Sequence, residues 1–156
     1  MSWTITLLSQ KQAEEIAYSW KYEGSYSFYD MTSDQEDLTH FLDPAARGTH
    51  VHAVMYEAEL VGFIEVTPKD RIAEVGMGLK PSWTGRGIGL QFMEKMIDFL
   101  RSHYHVERIT LAVAAFNKRA ITVYERAGFS KTGVSQQQTN DSIYEFIHMS
   151  LSINID

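Results

Sequence analysis

The sequence predicts a mixed α/β (α+β) domain whose sheet is mostly antiparallel. Three observations predict it. β-rich runs alternate with short polar turns over residues 51–79, the last of these runs leads through a glycine-rich turn into an amphipathic helix, and another strand and helix follow before two closing strands. A chain of 156 residues, 44% hydrophobic and 22% charged, is long enough to bury one sizeable core and has the composition of a soluble globular protein.

Taken in order, Trp3 to Leu8 alternates as a first strand, and Ser9 with Gln12 forms a capping-box signature for a helix through Trp20. From Trp20 to Met31 the chain is dense in aromatics (Tyr22, Tyr26, Phe28, Tyr29) with no helical or strand period, which predicts a loop or a short irregular helix. Ser33 with Glu36 repeats the capping signal for a second helix, with Leu38, Phe41 and Leu42 on its apolar face and Asp43-Pro44 as its stop. His52 to Tyr56 and Leu60 to Thr67 predict a hairpin around Glu57-Ala58-Glu59, with Ala73 to Leu79 as the next antiparallel strand. Phe92, Met93, Met96, Ile97 and Leu100 recur at helical spacing, Arg108 to Ala115 reads as a strand, and Asn117 opens a helix that ends at Gly128. Phe129 to Val134 and Ile143 to Leu151 close the sheet, joined by a polar loop from Gln136 to Ser142.

The stretch from Gly76 to Leu90 carries the functional signal. The first N–H groups of a helix have no intrahelical acceptor and sit at the positive end of the peptide dipoles, so the turn before Gln91 favours an anion. Gly85, Gly87 and Gly89 let the backbone take positive φ and approach a phosphate closely, and Arg86 adds a cation. A Walker loop needs Gly-Lys-Ser/Thr and a dinucleotide fingerprint needs G-x-G-x-x-G; Gly85-Arg86-Gly87-Ile88-Gly89 is neither. A bare G-x-G is equally a turn with close helix packing.

Arg86-Gly87-Ile88-Gly89, the helix, the strand from Ile109 to Ala115, then Asn117, Ala120, Tyr124 and Gly128-Phe129, together resemble the GNAT superfamily of acetyl-CoA-dependent N-acetyltransferases. The likeness covers Leu60 to Phe129, and it departs at Thr84, where the family carries Gln or Arg. It implies a splayed sheet of about seven strands flanked by about four helices. It also implies that acetyl-CoA is bound by Met77, Gly78 and Leu79 on the strand, by Thr84, Gly85, Arg86, Gly87, Ile88, Gly89 and Leu90 in the loop, and by Asn117 and Tyr124 downstream. Backbone N–H groups at Met77 and Leu79 would meet the pantetheine arm and the thioester oxygen, with Gly76 and Gly78 accommodating a bulge.

The resemblance makes Tyr124 the general acid towards the departing thiolate, a role suited to a phenol with pKa near 10; otherwise it is a packed helix aromatic. Asn117 serves equally as a plain N-cap. Glu74, on the same side of its strand as Gly76 and Gly78, is the first candidate for general base, against a solvent-facing reading and against deprotonation through water. The resemblance to protein N-terminal acetyltransferases offers a second place for the base, on the next strand, where this chain has Ala112.

Tyr26, Phe28, Tyr29 and Asp30 fall where the family's variable acceptor wall lies, and aromatic faces beside Glu23, Asp34 and Asp37 suit an ammonium. The alternative is a hydrophobic flap or a homodimer surface. The reading is therefore an acetyltransferase acting on a primary amine of a small cationic molecule; the alternatives are a peptide N-terminus or protein lysine as acceptor, and a non-catalytic acyl-CoA-binding regulatory module. A net charge of −6 argues against nucleic acid, and the absence of cysteine excludes disulfides and an acetyl-cysteine intermediate. His50/His52 and His103/His105 lack a third ligand, so no metal is expected, and the lack of an apolar span or leader places the chain in the cytoplasm without membrane partners.

Overall fold

The computed structural model describes residues 2–139 and 142–153. Asn140 and Asp141, inside the expected polar loop, lie outside the described residues. The strands are β1 (Trp3–Leu7), β2 (Val51–Tyr56), β3 (Glu59–Lys69), β4 (Ile72–Leu79), β5 (Arg108–Ala114), β6 (Ser130–Thr139) and β7 (Ser142–Ser152). The α-helices are α1 (Gln10–Ser19), α2 (Gln35–Leu42), α3 (Pro44–Arg47), α4 (Gly89–His103) and α5 (Lys118–Arg126), with 3₁₀ turns at Gly24–Tyr29, Met31–Ser33 and Pro81–Trp83. The seven strands form an open sheet in the order β1-β2-β3-β4-β5-β7-β6.

Two compact units make up the chain. The first comprises Met1–Glu65, Met77–Thr84 and Thr139–Ser142, the second Val66–Gly76, Gly85–Gln138 and Ile143–Asp156. In the first, β1 pairs antiparallel with β2 and β2 with β3. Glu57 (φ 52°) and Ala58 (φ 68°) both take positive φ in the two-residue turn before β3, the geometry of a tight hairpin whose twist matches its strands. Ser9 and Gln12 form the expected reciprocal capping box on α1. Ala13, Ile16 and Ala17 of that helix bury against Phe41, Val51, Ala53 and Leu60. Arg47 is buried and ties the helices together, its guanidinium donating to the Phe41 carbonyl at 2.6 Å and to Gln10 Oε1 at 2.7 Å.

Three boundaries differ from expectation. Asp34, not Ser33, caps α2: its carboxylate accepts from the N–H groups of Glu36 and Asp37, while the Ser33 hydroxyl donates to the Ser27 carbonyl in the preceding 3₁₀ turn. Asp43 ends α2 as predicted but also caps a further single-turn helix, α3, with Pro44 at its first position. Gln136–Thr139 belong to β6 rather than to a loop, because β6 is the terminal strand of the sheet and its outer residues can be polar.

In the second unit, β4 and β5 run parallel, with Ile72, Ala73 and Glu74 opposite Arg108, Ile109 and Thr110, and β5 pairs antiparallel with β7. Its core joins Phe92, Met93, Met96, Ile97 and Leu100 of α4 to buried Ile109, Leu111, Val113, Phe129 and Met149. Among the described residues no helix is long and apolar enough to cross a membrane.

Candidate functional site

In the second unit the glycine loop has the backbone its sequence calls for. Gly85 (φ 73°) and Gly87 (φ 80°) occupy the left-handed region, where a side chain is strained, and a Cβ at Gly87 would meet nothing within 4 Å. Gly89 begins α4, where a Cβ would make an ordinary contact with Val123 of α5 at 3.4 Å. α1, α2, α3 and α5 are capped by Ser9, Asp34, Asp43 and Asn117; α4 alone among the described α-helices starts from a residue, Ile88, that offers no side-chain acceptor. Its first turn holds no acidic residue either. An uncapped helix start behind an open, positive-φ loop fits a pyrophosphate.

A second cation stands at that loop. Arg119 Nη1 lies 3.6 Å from where a Gly85 Cβ would be. Sequence reading passed over it; its place two residues after Asn117, on the first turn of a helix following a strand, is the signal that would have found it. Asn117 Oδ1 accepts from the Ala120 N–H at 3.1 Å, so its capping reading holds. Tyr124 is half-buried on α5, its ring 6.3 Å from that of Phe129 and inclined by 56°. Glu74 is exposed and sits opposite Thr110 across the parallel ladder.

In the first unit, the end of β4 and the following turn are held firmly. A Cβ at Gly78 would fall 2.4 Å from the Phe63 ring, so glycine here makes room for Phe63, an origin distinct from the bulge expected on β4. Glu59 anchors the Pro81–Trp83 turn by accepting from Trp83 Nε1 at 2.7 Å and pairing with Lys80 at 3.4 Å. Thr84 donates its hydroxyl (2.7 Å) and its N–H (3.2 Å) to the Pro81 carbonyl, so both of its donors are engaged in the turn.

The aromatic stretch, expected as a loop or a short irregular helix, forms 3₁₀ turns at Gly24–Tyr29 and Met31–Ser33. Phe28 and Tyr29 meet edge to face at 5.0 Å, and the Asp30 carboxylate accepts from the Tyr22 N–H at 2.8 Å, which gives Asp30 a structural task. Tyr29 lines a cavity together with Ile16, Trp20, Tyr22, Met31 and Phe63; Tyr26 and Phe28 are not among its lining residues. The Tyr22 hydroxyl donates to the Leu79 carbonyl at 2.6 Å, and burial, then the nearby Asp30 charge, hold its pKa far above the phenol value.

Beside this wall stand two carboxyls: Asp37, which the sequence placed near a site for an ammonium, and Glu65, which it did not single out. Phe41 of α2 and Phe63 of β3 meet at 5.3 Å. Asp37 stands one helical turn before Phe41, and Glu65 follows Phe63 on the same strand face, so both step off this contact. Burial raises the Glu65 pKa, His40 opposing and Asp37 adding to the shift; partial burial, then Asp34 and Glu36, raise that of Asp37, with His40 again opposing. His148 Nε2 lies 2.6 Å from Ser135 Oγ. Among the described residues no three His, Asp or Glu side chains gather as a metal site.

Set against known proteins, residues 12–129 match the family model described as the acetyltransferase (GNAT) family. The L-amino acid N-acetyltransferase of Escherichia coli is 28% identical over 86 residues, covering 52% of this chain and 53% of that protein, so the chain spans about half the length of this relative. The spermidine N(1)-acetyltransferase of Escherichia coli is 27% identical over 112 residues, 72% of this chain and 60% of that one. Among solved structures, a chimeric spermidine N-acetyltransferase from Vibrio cholerae superposes with a TM-score of 0.76 at 19% identity, over 97% of this chain and 96% of the other, a likeness of fold.

Proposed function

The chain belongs to the GNAT acetyltransferase family, and from that premise we propose that it transfers the acetyl group of acetyl-CoA directly to a primary amine of a small cationic molecule. The open, positive-φ loop and uncapped α4 support the coenzyme: Gly85, Arg86, Gly87, Ile88, Gly89 and Leu90 would hold the pyrophosphate, with Arg119 as added cation. When bound, acetyl-CoA supplies an acyl group activated as a thioester. Met77 and Leu79 would orient it through backbone N–H groups, and Tyr124 would return a proton to the sulfur. Glu74, being exposed, would take the amine's proton through water if it is the base.

The observation that carries the acceptor class is the carboxylate group Asp37 and Glu65. Both carboxyls are held above the usual range because burial and neighbouring acids oppose their charge. A bound ammonium removes that opposition, since an opposite charge nearby favours the ionised form. The spermidine acetyltransferases among the similar proteins agree with a small amine.

The test is thiol release from acetyl-CoA by the purified protein with polyamines, amino alcohols, amino acids, aminoglycosides and short peptides. Turnover confined to small amines, with a higher amine KM in Glu65→Gln, is expected. Coenzyme binding without turnover on any of them would point to a regulatory acyl-CoA-binding module instead.

A further inference from the structure

In the second unit, β5 lies between β4 and β7, yet Ala112 within it is exposed. Ile109, Leu111 and Val113 turn one face of that strand into the core, so alternation puts Thr110 and Ala112 on the other, open face. Two ionisable side chains share that face. Glu74, exposed, is paired with Thr110 across the parallel ladder. His148, half-buried, stands directly opposite Ala112 on β7, between Ile147 and Met149, which are buried on the core side. Opposed positions of an antiparallel pair hold their Cβ atoms about 4.5–5.5 Å apart, and an alanine at one of them leaves the space beside its neighbour open. The β4–β5 ladder ends at Glu74 and Thr110, so Ala112 has no ladder partner on the β4 side among the described residues. The imidazole is therefore reached over a bare methyl group.

We propose that His148 is the general base that takes the proton from the acceptor ammonium, with Ser135 as its positioning residue. The inference rests on the acetyltransferase reading and deepens it by moving the base from Glu74 to the imidazole. Ser135 of β6 fixes the ring, its Oγ lying 2.6 Å from His148 Nε2. That oxygen also accepts from Gln137 Nε2 at 3.3 Å and has a second lone pair for an Nε2–H, the tautomer that leaves Nδ1 as proton acceptor. An exposed carboxylate is a weak base towards an ammonium, whereas imidazole exchanges protons near neutral pH. Glu74 then draws a cationic amine to the face. Thr110, Phe146 and Ser150, the neighbours of Ala112 and His148 on the same ladder face, carry no group that titrates near neutral pH. The proton transfer breaks one N–H bond of the ammonium, leaves the electron pair on nitrogen for the acyl carbon, and puts the proton on Nδ1. As the C–S bond breaks, Tyr124 protonates the sulfur, the second proton lost by nitrogen restores the phenol, and the imidazolium returns its proton to water.

The experiment measures kcat/KM of the wild type and His148→Ala on the amines of the panel above and on ethylamine and 2,2,2-trifluoroethylamine, with and without added imidazole. For every amine that is an ammonium in neutral water, the variant is expected to lose about a hundredfold, the usual contribution of a positioned base, and imidazole is expected to restore about tenfold or more. Trifluoroethylamine, whose fluorines leave it neutral in the same buffer, has no proton to give before attack, so its loss should stay within about threefold. Ser135→Ala should show the same selectivity more weakly, about three- to tenfold against the ammonium amines alone. The selectivity is a ratio within one preparation, so a reduced folded fraction does not alter it. A loss equal for all amines and unanswered by imidazole would make His148 a structural residue, and no loss would leave the proton to another group; either overturns the proposal. Absence of turnover by the wild type with every amine overturns the transferase reading itself, and the base with it. Should His148→Ala fail to fold, His148→Gln keeps a donor towards Ser135 without a site for the proton, and the same comparison of ammonium and neutral amines decides.

Discussion

The loop before α4 and the wall around Trp20 present two ways of building a binding surface. At the loop the groups offered to a ligand are backbone: positive φ at Gly85 and Gly87, and an α4 start without a side-chain cap. Around Trp20 and Phe63 they are side chains: a phenol bonded to Leu79 and the carboxyls of Asp37 and Glu65. Backbone geometry of that kind demands particular residues, so it leaves a mark in sequence. A side-chain surface can be assembled from many residues, provided that their elements bring them together. Under the proposed function, the first kind would mark a shared coenzyme and the second an acceptor that varies.

Four variants break or sharpen this contrast. Tyr124→Phe should have the largest effect, lowering kcat about a hundredfold with little change in coenzyme affinity, since it removes an acid and not a contact; steady-state kinetics beside calorimetric titration separates the two. Gly87→Val forces a β-branched residue to φ near 80° and should weaken coenzyme binding by more than about tenfold while leaving the helical signal in circular dichroism unchanged. Retained affinity in that variant would show that the loop's conformation is not what binds. Arg119→Ala should weaken coenzyme binding roughly three- to tenfold and make it less sensitive to salt, as expected for one exposed charge facing a phosphate.

Glu65→Gln is the smallest and tests the side-chain surface. Because the folded protein holds the Glu65 proton more tightly than the unfolded chain does, stability falls as pH rises from the ordinary carboxyl range through the raised value. The substitution should flatten that part of the pH–Tm curve, raise Tm at neutral pH by about 1–2 °C, and raise the amine KM a few-fold. A pH–Tm profile identical to that of the wild type would remove Glu65 from the cluster. The sign separates it from a salt-bridged carboxylate, whose loss would lower Tm at neutral pH.

The places where sequence reading went astray share one cause. Ser33 and Asp34 are both good caps, and the choice fell to Asp34 because the preceding 3₁₀ turn had already engaged the Ser33 hydroxyl. Gln136–Thr139 look like a loop because they are polar, yet a terminal strand can carry such residues outward. A related limit on spacing is the cavity that joins Tyr29 to Trp20, Tyr22 and Phe63, the last of them on a strand more than thirty residues away.

What the sequence determined by itself is what depends on local spacing: the capping box of α1, the hairpin turn at Glu57-Ala58, the glycine loop running into α4, and the order Asn117, Tyr124, Gly128 that marks the family. Each is a demand made by a few consecutive residues on their own backbone or on one helix face. Only the tertiary structure decided that Gly78 exists for Phe63, that Tyr22 holds Leu79, and that Arg119 reaches Gly85. These are distances across the fold, and no period or spacing along the chain encodes them.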